Sequence, residues 1–279
     1  MAETEYVLGT GEDELYRLKV QHEVWADFAI ASWKRAGIQA GSHVLDVGSG
    51  PGHASFDLAE LVTEKGRVCA VDESEPFVAY VNDQATRRKV PQLRAQIADA
   101  QSLGTTFQQG ERFDAIYTRW VLCWLTKPEA ALAGMRALLK PNGKLIIHDY
   151  FNWKSMTMAP RSAAIEKMVL AAVSSFEDRG GNVDFVGQLP AMLKNCGLKI
   201  SHFDVHVKVP RGGNVDPDIA WPLTWWRLYG PKLVALGKLS PEDYAKAAAD
   251  LDRLELDDDR FFYCPPVFEV VAELNSKSA

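Results

Sequence analysis

The stretch VLDVGSGPGH, residues 44–53, decides the fold class of this chain. An apolar run that contains Asp46 leads into a loop with glycine at positions 48, 50 and 52. Glycine lets the chain turn sharply out of a strand and approach a ligand without a Cβ in between, and the helix that follows offers unpaired backbone N–H groups. The stretch therefore predicts a nucleotide-binding unit of strand, glycine loop and helix.

The rest of residues 40–150 continues the alternation of strands and helices. We predict strands at 43–47, 67–71, 93–97, 113–117 and 143–148, and helices at 53–62, 76–88 and 128–139. Strands that alternate with helices imply right-handed crossovers and a doubly wound, mostly parallel sheet. Further strands at 198–207 and 267–274 make it a seven-stranded, Rossmann-like α/β sheet.

Helical segments precede, interrupt and follow this alternation. We predict an amphipathic helix over 15–36, an insertion at 152–182 that carries a helix over 161–176, and a short helix at 189–196. Some sixty residues with aromatic and helical character lie between the last two strands, more than a compact connection needs. We expect one structural domain with a helical cover (1–40), a cofactor-binding core (41–150) and a remainder with an acceptor lid (151–279).

Composition and charge limit the kinds of partner. The net charge of −6 argues against a nucleic-acid substrate, because binding a phosphate backbone needs clustered Lys and Arg. The four cysteines are far apart, so neither a zinc site nor a disulfide framework is indicated. The polar start lacks the features of a secretory signal, and no apolar run is long enough for a membrane span. We expect a cytoplasmic protein with a small-molecule partner and no membrane or nucleic-acid partner.

Acidic residues follow the predicted strands at the edge where an open α/β sheet binds its ligand. Asp72 lies 20 residues after Gly52, the spacing at which a carboxylate accepts hydrogen bonds from ribose hydroxyls. The alternative is that Asp72 caps the next helix. Asp99 follows the third strand and can accept from an exocyclic amine such as that of adenine, or it is a solvated turn residue. We predict ligand contacts for both.

Nicotinamide and flavin enzymes share a glycine loop of this kind, so the loop alone leaves the cofactor open. Their fingerprint places the third glycine at position 53, where this chain has His53. Asp46, inside the strand and two residues before the first glycine, also departs from that fingerprint. The spacing thus disfavours a nicotinamide site.

Together, the motifs between residues 40 and 150 resemble those of class I S-adenosylmethionine-dependent methyltransferases. They comprise the glycine motif at 44–53, the acidic second-strand motif at 71–74, the adenine-side motif at 97–100, the fourth-strand region at 113–122 and the strand-five hairpin at 138–145. The start at 6–9, with Arg17 and Gln21, resembles the lead segment of a bacterial small-molecule, UbiE-like branch.

The resemblance implies S-adenosylmethionine as cofactor and S-adenosylhomocysteine as product. It implies that the glycine loop holds the methionine and ribose part, that Asp72 binds the ribose hydroxyls, and that Asp99 and Ala100 lie on the adenine side. It places Arg119 and Trp120 at the carboxylate end or the methyl-side wall. The first helix would fold over the cofactor, unless it is a plain surface helix. The predicted cofactor-binding residues are Arg17, Gln21, Asp46, Gly48, Ser49, Gly50, Gly52, Asp72, Glu73, Asp99, Ala100, Arg119 and Trp120.

The methyl acceptor is indicated only by an aromatic stripe between the last two strands. Trp221, Trp225 and Trp226 recur at helical spacing, a pattern that is more often core than substrate wall. Their position, where this family commonly builds its acceptor cover, makes them our predicted substrate-binding residues for a flat or cationic ligand.

Catalytic residues are less clearly marked than binding residues. If the acceptor is a hydroxyl or an amine, a general base helps to remove its proton. His148 and Tyr150, after the fifth strand, and His53, after the last glycine, are weak candidates for that base. For His148, a hydrogen-bonded structural role is the preferred interpretation. Asp149 alone is a poor metal site, so we predict no metal.

The sequence thus predicts methyl transfer from S-adenosylmethionine to O, N or C of a small molecule, by in-line displacement in an aromatic-lined pocket. Aligning nucleophile, methyl carbon and sulfur in a dry site supplies much of the rate, and no covalent residue is required. An NAD(P)-dependent oxidoreductase and a non-catalytic nucleotide-binding module are the alternatives.

Overall fold

The computed structural model describes residues 11–108, 110–213 and 215–275. The predicted lead segment at 6–9 lies outside these ranges. The described chain divides into two compact units. We call the first the sheet unit, made of Trp25–Asp149, Phe185–Val205 and 268–275, and the second the helical unit, made of 11–24, Tyr150–Asp184 and His206–Val267. The expected single domain stays a prediction, because compactness alone does not define a domain that folds independently.

The sheet unit is built on a seven-stranded sheet, as predicted. Its strands are β1 (His43–Val47), β2 (Arg67–Asp72), β3 (Leu93–Ile97), β4 (Phe113–Arg119), β5 (Leu139–Tyr150), β7 (Leu198–His206) and β9 (Val267–Leu274). They lie in the order β3-β2-β1-β4-β5-β9-β7. The pairs β1·β2, β2·β3, β1·β4 and β4·β5 are parallel. The order reverses between β1 and β4, which is where such sheets bind ligands.

Helices precede and connect these strands. They are α1 (Glu12–Arg35), α2 (His53–Val62), α3 (Glu75–Arg87), α4 (Leu103–Thr106), α5 (Pro128–Ala137) and α7 (Leu189–Asn195). All of them except α4 were predicted. α1 begins earlier than expected because three acidic residues occupy its first turn, where they complement the positive end of the helix. Apolar residues of α1, α2 and α3 pack with those of the central strands in one buried cluster that includes Trp33, Leu58 and Val81.

Strand β5 is longer than predicted. It begins at Leu139, which pairs with Phe113, and the next paired residues are Ala115 and Lys144. Residues 140–143, which we predicted as a turn before the strand, instead form an irregularity within β5. The register of the pairing between β4 and β5 shifts at this point.

The helical unit contains the segment predicted as lid and insertion. Its elements are β6 (Thr157–Ala159), α6 (Ala163–Glu177), α8 (Ala220–Ala235), α9 (Pro241–Leu256) and β8 (Phe261–Tyr263), with β6 and β8 forming an antiparallel pair that the sequence did not reveal. Ser240 caps α9 by accepting from the Asp243 N–H at 3.0 Å. Along the described residues, none of the helices is both long and apolar enough to cross a membrane.

Candidate functional site

The glycine loop turns the chain out of β1 at the point where the strand order reverses. The N–H groups of Gly48 and Ser49 both donate to the carbonyl of Val71 on β2, at 2.8 and 3.0 Å. Gly48, Gly50 and Gly52 all have positive φ angles, of 70°, 53° and 79°. Only glycine adopts this conformation without strain, so the alternation of glycines in the sequence reflects the backbone of the loop.

Two of these glycines are also required by close packing. A Cβ on Gly48 would lie 2.2 Å from Cγ2 of Val121, and a Cβ on Gly52 would lie 2.7 Å from Cγ2 of Val81. Both positions therefore exclude any larger residue unless the valine moves. These contacts hold the loop against the segment after β4 and against α3.

The middle of the loop has room and polar groups for a ligand. A Cβ on Gly50 would meet no atom within 4 Å. The Ser49 hydroxyl is buried without a hydrogen-bond partner among the residues that the structure describes. Buried hydroxyls normally have partners, and a polar group of a ligand would supply one here. We call this loop, together with Asp46 and Asp72, the glycine cradle. The loop thus fits a polar nucleotide-like cofactor.

Asp72, at the end of β2, is joined directly to the loop. Its Oδ2 accepts from the Gly50 N–H at 2.8 Å and its Oδ1 accepts from the Ser74 N–H at 2.9 Å. Burial raises the pKa of this carboxyl, while the two backbone hydrogen bonds lower it. The cap of α3 is Ser74, whose hydroxyl accepts from the Phe77 N–H, so Asp72 is not the capping residue considered in the sequence.

Asp46, on β1, is the most deeply buried carboxylate of the cradle. The Ser55 hydroxyl donates to its Oδ2 at 2.5 Å. Burial raises its pKa to about 6, an effect that the Ser55 hydrogen bond and the positive charge of Arg119 oppose. A group with this pKa changes charge just below neutral pH, and a bound cation would favour its ionised form.

Of the two predicted adenine-side residues, Asp99 is exposed and Ala100 is half-buried. Glu73, in the second-strand motif, is also exposed. Asp99 caps the short 3₁₀ turn Ala100–Ser102 by accepting from the Gln101 N–H at 2.8 Å. The turn role that we considered for Asp99 is therefore present, and its contact with adenine stays a prediction.

Arg119 and Trp120 follow β4 in an unusual backbone conformation. Trp120 has a φ of 56°, and only 9% of its surface is exposed. A left-handed conformation in so bulky a residue costs about 1–3 kcal/mol and is concentrated at functional sites. The Arg119 guanidinium lies 4.7 Å from the centre of the Trp120 ring, and Trp25 meets the ring edge to face at 5.9 Å. Nothing in the sequence signals this strain.

His148 is fully buried in a hydrogen-bonded chain of side chains. Its Nδ1 lies 3.1 Å from the Tyr117 hydroxyl, and its Nε2 lies 3.0 Å from the Ser32 hydroxyl. Ser32 in turn donates to Glu269 at 2.7 Å, and Glu269 also accepts from Arg35. Since both ring nitrogens contact protein groups, the geometry favours the structural interpretation of His148. Sequence reasoning missed Ser32 and Glu269, which are 237 positions apart.

The other candidate bases occupy the start of a helix and the end of a strand. His53 is the first residue of α2, after the N-cap Gly52. Tyr150 ends β5 and meets Trp153 edge to face, with ring centres 6.4 Å apart. Their catalytic roles stay predictions. Within the described ranges, no cluster of three or more His, Cys, Asp or Glu is arranged to hold a metal ion.

The helical unit brings Arg17 and Gln21 together with two of the predicted acceptor residues. Arg17 is buried and donates to both carboxylate oxygens of Glu14, at 2.7 and 2.6 Å, and to Gln21 Oε1 at 2.7 Å. Its guanidinium lies 5.0 Å from the centre of the Trp225 ring. Gln21 Oε1 also accepts from the Trp221 indole N–H at 3.3 Å. The predicted contacts of Arg17 and Gln21 with a cofactor stay predictions.

The three predicted acceptor residues line one narrow pocket, of about 20 Å³, within the helical unit. Trp221 and Trp226 are almost wholly buried, as core residues are. The sequence did not reveal the other members of this aromatic pocket, because they come from separate segments. Its lining residues are Tyr150, Trp153, Met156, Trp221, Pro222, Trp225, Trp226, Phe262, Cys264 and Pro265.

The residues of the glycine cradle lie in a part of the chain that is similar to known proteins. A family model described as a methyltransferase domain matches residues 38–179, half of the chain. The ubiquinone/menaquinone biosynthesis C-methyltransferase UbiE of Azotobacter vinelandii is 30% identical over 130 residues, which cover 46% of this chain and 49% of that protein. The chain thus spans about half the length of the curated relatives it matches.

Solved structures share the fold at low sequence identity. The YcgJ protein of Bacillus subtilis has a TM-score of 0.58 at 15% identity, covering 91% of this chain and 99% of that one. Coclaurine N-methyltransferase, bound to N-methylheliamine and S-adenosylhomocysteine, has a TM-score of 0.56 at 15% identity, covering 89% of this chain and 71% of that one. At this identity the likeness concerns the fold alone.

Proposed function

This chain belongs to the class I S-adenosylmethionine-dependent methyltransferases, and from that premise we propose that it transfers a methyl group to a small-molecule acceptor. The membership confirms the predicted enzyme class and S-adenosylmethionine as the cofactor. The matched residues 38–179 include the whole glycine cradle, whereas α8 with its tryptophans lies beyond them. The donor half of the reaction therefore has stronger support than the acceptor half.

The observation that best supports the proposal is the hydrogen bond between the glycine loop and Asp72. The Gly50 N–H holds the Asp72 carboxylate beside the open position in the loop. Each carboxylate oxygen accepts only one of these backbone hydrogen bonds and has a second lone pair for a ligand hydroxyl. A pair of ribose hydroxyls would suit this acceptor.

Residues at the ends of successive strands of the sheet unit would hold different parts of the cofactor. We propose that Gly48, Ser49, Gly50 and Gly52 contact its methionine and ribose part, that Asp72 binds the ribose, and that Asp99 lies on the adenine side. Asp46, whose pKa is raised to about 6 by burial, is mostly ionised at neutral pH and would favour a cationic group nearby. When bound, the cofactor supplies a methyl group on a positively charged sulfur.

For the acceptor, we propose the aromatic pocket of the helical unit. Its lining is mostly aromatic and apolar, and at about 20 Å³ it would admit one small group of a flat ligand, whose orientation the rings would restrict. Methyl transfer needs nucleophile, methyl carbon and sulfur in line, so orientation is the main task of the acceptor residues. Cys264 is not a nucleophile here, because burial raises the pKa of its thiol well above the ordinary value and keeps it protonated.

Binding of the product-like ligand S-adenosylhomocysteine tests the donor half. We expect calorimetry to detect one site and a rise in melting temperature, with no stabilisation by NADH, because a ligand that binds only the native state stabilises it. Stabilisation by NADH alone would instead support an oxidoreductase. Turnover of methyl-labelled S-adenosylmethionine with a panel of small acceptors then separates an enzyme from a binding module. The predicted cytoplasmic location stays a prediction.

A further inference from the structure

The turn that follows β4 is fixed at both of its ends by β5. The Trp120 N–H donates to the His148 carbonyl at 2.8 Å, and the Cys123 N–H donates to Asp149 Oδ2 at 3.1 Å. His148 and Asp149 are adjacent near the end of β5. One short piece of this strand therefore holds both ends of residues 120–123, which we call the β4 turn.

The β4 turn contains a strained backbone conformation. Trp120 has a φ of 56°, in the left-handed region that bulky side chains rarely adopt. Strained residues of this kind persist only where the surrounding structure over-determines them, and they are concentrated at functional sites. The two hydrogen bonds from β5, one on each side of the strained segment, are part of what keeps the turn in place.

Asp149 is buried, with only 1% of its surface exposed. Burying a carboxylate costs free energy unless it is hydrogen-bonded. Cys123 is its partner twice: besides the backbone N–H, its thiol is hydrogen-bonded to Asp149, and the pKa of this thiol is raised well above the ordinary value by burial and by the carboxylate. An apolar side chain would fill the space without the cost of burying a charge, so the carboxylate indicates that the position serves to hold the β4 turn.

Val121, between the two fixed ends of the β4 turn, lies against the glycine loop. A Cβ on Gly48 would be 2.2 Å from Cγ2 of Val121, so the valine side chain fills the space directly beside the Gly48 backbone. The Gly48 N–H is in turn bonded to the Val71 carbonyl of β2 at 2.8 Å. The path of the loop after β1 therefore depends on where the β4 turn places Val121.

We propose that Asp149 is a positioning residue for S-adenosylmethionine, which acts through the β4 turn by holding Val121 against Gly48. The role requires no contact between Asp149 and the cofactor. The inference rests on the proposed function, because it takes the glycine loop as the binding site of the cofactor. The competing explanation is that Asp149 only stabilises the fold, which predicts no larger effect on cofactor affinity than that of any other destabilising substitution.

Calorimetry of S-adenosylhomocysteine binding to the full chain tests the proposal. Asp149→Ala removes the acceptor of the Cys123 N–H, and we expect binding to be weaker by roughly tenfold or more. Asp149→Asn keeps one side-chain oxygen that can accept from this N–H, so its affinity should stay within about threefold of that of the unaltered chain. Rescue by asparagine would show that the hydrogen bond to the turn, rather than the charge, supports binding.

Leu193→Ala is the matched control for stability. It truncates a fully buried side chain of α7, outside the glycine cradle and the β4 turn, and should lower the free energy of unfolding, which denaturant titration measures for every variant. We expect its affinity for S-adenosylhomocysteine to stay within about twofold of that of the unaltered chain, because a loss of core packing alone leaves the binding site of the folded molecules intact.

Val121→Ala tests the same connection without altering Asp149, so it decides the question even if Asp149→Ala fails to fold. It shortens the side chain that meets Gly48, and we expect binding to be weaker by roughly fivefold or more. Because Asp149 acts through Val121, the double variant should bind about as weakly as the weaker of the two single variants, since the effects of coupled residues do not add.

The outcomes separate the inference from the proposed function. If S-adenosylhomocysteine fails to bind the unaltered chain, the proposed function is wrong and the inference falls with it. If it binds, the inference is overturned by normal affinity in Asp149→Ala or Val121→Ala, by equal losses in Asp149→Asn and Asp149→Ala, by an equal loss in Leu193→Ala, or by losses that multiply in the double variant. In each of these cases the methyltransferase assignment stands.

Discussion

The backbone N–H of Gly50 donates to Asp72 Oδ2 at 2.8 Å, joining two motifs that are 22 residues apart in the chain. Through this bond the carboxylate at the end of β2 is oriented by the glycine loop after β1. Replacing Asp72 should therefore affect both the shape of the cradle and its ligand contacts.

Asp72→Ala is expected to weaken S-adenosylhomocysteine binding by roughly 10- to 100-fold, since a charge-assisted hydrogen bond contributes about 1.5–3 kcal/mol. Isothermal calorimetry measures this directly. Asp83→Ala, which removes an exposed carboxylate from α3, is the control and should bind normally. Unchanged affinity in Asp72→Ala would show that the carboxylate does not contact the cofactor.

Two alanine substitutions in the glycine loop should separate folding from binding. Gly48→Ala places a Cβ 2.2 Å from Val121 and keeps a positive φ, so we expect a loss of about 2 kcal/mol or more in the free energy of unfolding. Combining it with Val121→Ala should recover part of that loss. Denaturant titration gives these values.

Gly50→Ala meets no atom within 4 Å and should cost only about 1 kcal/mol through its backbone conformation. Its affinity for S-adenosylhomocysteine should nevertheless fall strongly, because the methyl side chain of the new alanine would occupy the open part of the cradle. A Gly50→Ala protein that binds normally would place the cofactor elsewhere.

Asp46 should make stability depend on pH. Its pKa is 3.8 when unperturbed and about 6 in the folded chain, chiefly because of burial. The folded state therefore holds the proton more tightly, and the stability that Asp46 contributes below pH 3.8 is lost as the pH rises through about 6. The loss amounts to about 3 kcal/mol.

Asp46→Asn should remove this dependence, which denaturant unfolding at a series of pH values would show as a flatter curve than that of the unaltered chain. Ser55→Ala, which deletes the hydrogen bond to the carboxylate, should move the transition to higher pH. Parallel curves for Asp46→Asn and the unaltered chain would contradict the raised pKa.

His148→Gln is expected to reduce stability by about 1–3 kcal/mol, because it disturbs contacts with Tyr117 and Ser32 in a buried chain of hydrogen bonds. Ser32→Ala should have a similar effect, since it removes the partner of Nε2. For both variants we expect kcat to change less than the 10²–10⁴-fold that a general base contributes. A kcat loss of that size in a stable His148→Gln protein would instead make His148 the base.

Much of the sheet could be read from the sequence. The apolar runs of β1 to β4 alternate with helical segments, and the glycines at 48, 50 and 52 stand where the backbone has positive φ angles. Such signals are local, because propensity and periodicity act over a few residues. The short strands β6 and β8 were not predicted, since three-residue strands carry too little pattern and pair across more than 100 positions.

For the candidate site, the sequence by itself determined the glycine loop, Asp72 and the order of the motifs, which together identified the family and its cofactor. Only the tertiary structure revealed the left-handed Trp120, the chain of hydrogen bonds from His148 to Glu269, and the meeting of Trp153 with Trp226. The reason is physical. A positive φ restricts which residue type can occupy a position, so it can be recognised from the local sequence. Contacts between distant segments depend on how helices and strands pack, and packing produces no regular spacing of residues along the sequence.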